Sequence, residues 1–244
     1  MNCRSKRNRL IFLLPAIVGS VFFVICMASC GKQSTASPQG LNIQYEIFNL
    51  SPDLAGVNLF IDFKQVNLLG LQSNPFIFNV NHGYFYVPSI DLPYQIRSDS
   101  TTGNTIFARN DTLKSGLKYS LFITGTNGNG QLKQIFTVDT ASIPTIGRGK
   151  IRFVNASPTA TSGLDVYANG TLAFSKVLYT GFSKYIELPV GNYDFQINNT
   201  GSSTVQKEIP ILTVQDGRLY TLYAFGYNTR TDSAAFNAGV ITNK

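Results

Sequence analysis

Tryptophan is absent from this 244-residue chain, histidine occurs once, and no cysteine follows Cys30. Each shortage excludes something. With no cysteine between Gly31 and Lys244, no disulfide can staple the strands. One histidine and one cysteine outside the leader fall short of a zinc site, and no cofactor is expected. A Ser-His-Asp triad could recruit only His82, which sits in the turn-like Asn81-His82-Gly83 with no G-x-S-x-G motif in the chain. The one Gly-rich loop, Gly125–Gly130 (GTNGNG), lacks the Lys-Ser/Thr and the following helix pattern of a phosphate-binding loop. It reads as a hairpin turn, where left-handed geometry suits Asn127-Gly128. Charged residues make up only 14% of the chain. The net charge of +7 is concentrated at one end: Arg4, Lys6, Arg7 and Arg9 are four of the 20 basic residues, leaving 16 against 13 acidic ones. No Lys/Arg run occurs elsewhere, so no nucleic-acid partner is expected.

What is present begins with the leader. Basic residues 1–9 precede Leu10–Ala28, a 19-residue uncharged and mostly apolar run, and then Ala28-Ser29-Cys30. The order is that of a secretory signal. It resembles a bacterial lipoprotein signal, with Met27 where Leu is usual. The resemblance implies lipidation of Cys30 and an exported chain anchored in the cell envelope, at the outer membrane. Two or more acyl chains suffice for stable anchoring. The alternative is a retained signal-anchor helix, since 19 residues span ~28 Å. Gly31–Gly40 (GKQSTASPQG) reads as a flexible tether. It has no acidic run of the kind that resembles a surface-export signal, so periplasmic and surface exposure both stay open.

From residue 42 the periodicity is two. Ile43, Tyr45 and Ile47 alternate with Gln44, Glu46 and Phe48; Val57, Leu59 and Ile61 follow suit. Further short β-branched and aromatic runs occur at Pro75–Val80, Tyr84–Val87, Tyr94–Arg97, Thr105–Arg109, Leu117–Thr124 and Gln131–Val138, separated by turn residues. No stretch after residue 40 keeps a helical apolar face. The pattern predicts an all-β chain: two tandem antiparallel β-sandwich domains, immunoglobulin- or transthyretin-like, after a signal peptide. The expected limits are 1–29 for the signal, 30–41 for the lipidated Cys and tether, 42–140 for the first sandwich, 141–149 for a linker and 150–244 for the second.

The tandem arrangement rests on an internal duplication. Tyr45–Asp62 and Ile151–Gly170 both run strand, Asn-x-Ser-Pro, strand, at an offset of 106 residues. Further on, Pro88, Gln95, Thr112, Gly116, Tyr119, Leu121 and Gly125 match Pro189, Gln196, Thr213, Gly217, Tyr220, Leu222 and Gly226 at an offset of 101. Asn and Ser at a strand end bond nearby backbone, and Pro removes a donor. Gly116 and Gly217 each precede a strand, where positive φ is often needed. Arg218–Tyr227 is the most apolar strand of the second copy and is expected to be central. Its tyrosines suit core pairs better than a sugar-stacking platform.

Asn155-Ala-Ser157-Pro158, Leu164-Asp165-Val166-Tyr167 and Asn169-Gly170, with Leu188–Tyr193 and Tyr220–Gly226, resemble the domain of unknown function numbered 4397, common in exported bacterial proteins. Asn155 stands where that family usually has His. The first copy is a diverged version, with Asn58-Leu-Phe60 in place of the Asp-Val-Tyr run. The resemblance implies a sandwich-like fold and export, and no established activity. Four Asp-Ser/Thr triplets resemble the O-glycosylation sequon of Bacteroidota periplasmic proteins and mark Ser100, Thr112, Thr140 and Ser233. Ordinary turn chemistry explains them equally well. The expected function is that of a non-catalytic, lipid-anchored envelope protein with a structural or interaction role. The alternative is a glycan- or peptide-binding envelope module. Its partners would be the membrane, through the lipid, and envelope proteins or glycans. An enzyme would need acids such as Asp165 or Glu187 paired across a cleft, and the sequence pairs none.

Overall fold

The computed structural model describes residues 41–67, 75–88, 93–110 and 112–244. The signal, Cys30 and the tether lie outside these residues. The first copy contributes β1 (Leu41–Asn49), β2 (Val57–Ile61), β3 (Lys64–Gln65), β4 (Phe85–Pro88), β5 (Tyr94–Ser98), β6 (Thr105–Arg109), β7 (Lys118–Thr124) and β8 (Lys133–Val138). The second contributes β9 (Arg148–Ala156), β10 (Leu164–Ala168), β11 (Thr171–Val177), β12 (Ile186–Pro189), β13 (Gly191–Asn199), β14 (Val205–Val214), β15 (Leu219–Phe225) and β16 (Asn237–Thr242). The described residues contain no helix.

The strands form four sheets of four: β4-β1-β7-β8 and β3-β2-β5-β6 in the first sandwich, β12-β9-β15-β16 and β11-β10-β13-β14 in the second. The topology is the same twice, as the duplication requires. Pairing is antiparallel except at one place in each copy, where β1 lies parallel to β7 and β9 to β15. A parallel neighbour needs a long crossover rather than a hairpin, and here the crossover is the whole facing sheet. Pro75–Val80, expected as a strand, makes only single bridges, Phe76 to Val57 and Phe78 to Asn49.

Alternation explains the two inner cores. Ile43, Tyr45 and Ile47 of β1 and Tyr119, Leu121 and Ile123 of β7 face Leu59, Ile61 and Ile96. Ile151 and Phe153 of β9 and Tyr220, Leu222 and Ala224 of β15 face Val166, Phe195 and Ile197. The other faces of these central strands are apolar too. Phe48, Leu50, Phe122 and Ile135 of the first copy form a third core with Val154, Ala156, Tyr223, Phe225 and Ile241 of the second. The sandwiches therefore pack sheet against sheet through corresponding surfaces. This burial on both faces is why all seven residues of β15 are buried. A face that would be polar in a lone antiparallel sandwich is here hydrophobic.

The central strands of both copies point the same way. The Thr124 hydroxyl at the end of β7 donates to the Ala156 carbonyl at the end of β9, 2.6 Å away. At the other end, Gly116 and Lys118 share a cavity with Leu219 and Lys244. The molecule thus has an entry end, where β1 and β9 begin, and a signature end, where both Asn-x-Ser-Pro turns lie.

Candidate functional site

The signature residues serve the fold. Asn49 and Asn155 are fully buried at the ends of β1 and β9. Each side-chain oxygen accepts its own Ser N–H, Ser51 at 3.2 Å and Ser157 at 3.0 Å. The Asn49 amide donates to the Leu54 and Phe76 carbonyls, and the Asn155 amide to those of Ala160 and Val177. One side chain thereby replaces a missing ladder where the chain leaves the sheet. Asp53 reaches on to the Asn127 and Gly128 N–H groups of the next turn, and Thr159 to that of Asn228. That next turn follows Gly125 (φ 91°) and Gly226 (φ 80°). The left-handed residues of the GTNGNG hairpin are Gly125 and Gly130, not Asn127-Gly128. A Cβ on Gly125 would sit 2.3 Å from the Gln131 carbonyl oxygen.

Between the sandwiches, towards the entry end, lies a buried polar cluster that alternation alone does not announce. Arg152 of β9 and Asp139, just past β8, form an ion pair with almost no exposure. The Arg152 guanidinium also donates to the hydroxyls of Thr137 and Thr221 and the Val138 carbonyl, and lies over the Tyr185 ring. Asp139 further accepts from Ser120 (2.5 Å), Tyr84 (2.7 Å) and Thr137 (2.9 Å). Asn243 ties Thr221 to Tyr84. Nearby Glu46, on β1, is 1% exposed and its Oε2 has no partner. Burial, then the charge of Asp139, pushes its carboxyl up to about 8, with Lys118 acting the other way.

At the signature end an open groove of about 580 Å³ runs between the copies. Thr126, Asn129, Gln131 and Lys133 line it from the first copy, Pro158, Thr161, Tyr179 and Tyr227 from the second. The Tyr227 hydroxyl is buried there without a hydrogen-bond partner. Aromatic edges beside amides and hydroxyls can hold a polar, hydroxyl-rich chain.

The sequence candidates fall elsewhere. Asp165, 5% exposed, accepts from the Lys176 and Gly201 N–H groups and the Thr200 and Ser175 hydroxyls. Burial alone would raise its carboxyl; these four donors outweigh it and hold it below the usual range. Glu187 instead meets Lys150 and the Thr145 N–H, so the two acids are not brought together. Tyr167 is half-buried within its sheet. His82 is not a surface residue but half-buried, edge-on to Phe76 at 5.2 Å, and burial lowers its pKa. Tyr220 and Tyr223 of the central strand are in the core. Ser100, Thr112, Thr140 and Ser233 are all exposed, although Asp139, beside Thr140, is committed to Arg152, and Asp111 lies outside the described residues. Among the described residues no group of three or more His, Cys, Asp or Glu is placed to hold a metal.

The seam was the feature sequence reasoning missed. Its signal was Phe48, Phe122, Val154 and Tyr223 breaking strict alternation on the strands that carry the duplication. No curated protein matches the chain. Two stretches, residues 44–162 and 159–244, match one family, the first running past β8 through β9. Between them they cover residues 44–244, and the chain belongs to the family of the domain of unknown function DUF4397.

Proposed function

We propose that this protein is a lipid-anchored, non-catalytic module of the bacterial cell envelope, serving structure or interaction as a rigid pair of sandwiches. The observation that carries the reading is the seam. Its apolar core and its Arg152–Asp139 pair weld the copies into one body, and the buried carboxylates Asp139 and Asp165 are each held by several donors. Such a body suits holding two things at a fixed spacing. The anchor is Cys30, after Ala28-Ser29. Growth of the producing bacterium with an alkyne fatty acid should label the wild type; Cys30→Ala should lose the label and leave the membrane fraction. Retention of both by the variant sinks the anchor.

A second reading, glycan or peptide binding, is favoured by one observation, the groove beneath Tyr179 and Tyr227. It lies at the end of the molecule away from the point where the tether joins. Envelope glycans applied to the wild type and to Tyr227→Ala should bind the first more tightly; equal binding rejects the groove.

A further inference from the structure

We infer that the entry end is a membrane-docking face, which seats the sandwiches upright on the bilayer. The inference rests on the lipid-anchor reading. Leu41 begins β1 at this end, and ten residues, Gly31–Gly40, precede it after Cys30. Even fully extended they reach only ~35 Å. A lipid on Cys30 therefore keeps this end near the headgroups.

The surface there is suited to lipid. Ile146 is 93% exposed, Ile143 74% and Val190 48%. These are not loose loop residues. The Thr145–Arg148 turn closes with Arg148 N–H on the Thr145 carbonyl, 2.9 Å. The Gly147 N–H donates to Asp216 (2.7 Å), the Gly147 carbonyl accepts from Val190 (2.9 Å), and the Arg148 carbonyl accepts from Gly217 (2.9 Å). Ile146 is thus held out into solvent beside Val190 by a braced turn. Arg148 belongs to this turn and Arg218 follows the Gly217 that braces it; Asp216 and a Glu187 already paired with Lys150 are the acids bonded to the turn, and Lys118 and Lys244 line a cavity at the same end. Apolar side chains that enter ~5–10 Å into the interface, flanked by Arg148 and Arg218, make an amphipathic surface for anionic lipid.

The lipidated full-length protein, reconstituted in phosphatidylglycerol vesicles containing bromine-labelled phosphatidylcholine, tests this. The mature chain has no cysteine but Cys30, so Ile146→Cys, Leu178→Cys and Asn129→Cys each take one fluorophore. Leu178, 50% exposed, lines a separate apolar groove with Phe182; Asn129 lies at the signature end. The label at 146 should be quenched about twofold or more beyond those at 178 and 129, and Val190→Cys should lose its quenching when combined with Ile146→Asp. If the protein floats with vesicles but all labels quench alike, the docking face is wrong and the anchor stands. Stronger quenching at 178 likewise overturns it in favour of a tilted body. If the protein does not float, both readings fall.

Discussion

Asp139 and Asn243 hold equivalent places, one past the last strand of each sandwich, and both bond the hydroxyl of Tyr84. Their backbones are equivalent as well: the Asp139 N–H donates to the Lys118 carbonyl and the Asn243 N–H to that of Leu219. Tyr84 and Tyr185 match at the offset of 101, Glu46 and Arg152 at 106. The seam is therefore a two-fold arrangement of duplicated faces in which the charges have diverged. The first copy has Glu46 where the second has Arg152, and the second has Asn243 where the first has Asp139, so the ion pair forms once and has no counterpart. Placing Arg152 opposite Asp139 makes the seam specific to this order of copies.

Arg152→Met should destabilise the protein by ~3–5 kcal/mol, because it strands Asp139 in a buried site. Asp139→Asn should cost about as much, because it strands a buried guanidinium that cannot give up its charge. The double variant should recover most of the Arg152→Met loss, since neither charge is then buried. Urea unfolding of the four proteins gives the coupling; strict additivity would mean that the pair contributes nothing across the seam.

Glu46 sets a pH dependence. In the unfolded chain it releases its proton near 4.5, in the folded one near 8. Between these values the folded state binds the additional proton, so stability falls as pH rises, by at most ~1.4 kcal/mol per unit for this group. Glu46→Gln, which imitates the protonated acid, should be more stable than the wild type at pH 8.5 and nearly equal at pH 4.5. Parallel melting curves for the two proteins across this range would remove Glu46 as the cause.

Much of this architecture is legible in the chain. Tyr45–Ile47 and Val57–Ile61 alternate because each has a core on one side, and the Asn-x-Ser-Pro repeat marks two copies because Asn49 and Asn155 must replace the same lost ladder bonds. The seam was not legible for a physical reason. Phe48 or Tyr223 on an outer face reads the same whether it meets solvent, a partner or the sister domain. Arg152 and Asp139, far apart in character from the turn residues around them, show their pairing only once β8 and β9 are set face to face. The Pro75–Val80 run reads as a strand from composition, but its backbone makes only isolated bridges, a reciprocal pair of bonds between Phe76 and Val57 and one from the Asn79 N–H to the Asn49 carbonyl.

Gly226→Ala and Gly116→Ala should differ sharply. Both glycines have positive φ, 80° and 76°, which costs alanine ~1–2 kcal/mol. Gly116 has nothing within 4 Å of a new Cβ, whereas at Gly226 the Cβ would meet the Ala235 carbonyl at 2.3 Å and that of Ala234 at 2.8 Å. Gly116→Ala should lower Tm by several degrees. Gly226→Ala should lower it much further by forcing the Ala234–Ala235 backbone away. Similar losses would show that this loop yields freely.

The sharpest test of bracing against chemistry is Asp165. Its carboxylate collects four donors, and because they depress its pKa, the stability it contributes at neutral pH is lost as pH falls through its folded value. In the first copy the same brace is built in reverse: Asn58 donates to Asp99 at 2.8 Å, and Asp99 matches Thr200 at the offset of 101. Asp165→Asn turns an amide NH₂ towards donors and should cost ~1–3 kcal/mol. Adding Thr200→Asp restores the first copy's arrangement, so Asp165→Asn/Thr200→Asp should regain stability that Thr200→Asp alone, with two facing acids, cannot. If the double variant is no more stable than either single one, the two braces are not equivalent, and Asp165 is kept for something other than holding β10, β11 and the Thr200–Gly201 turn together.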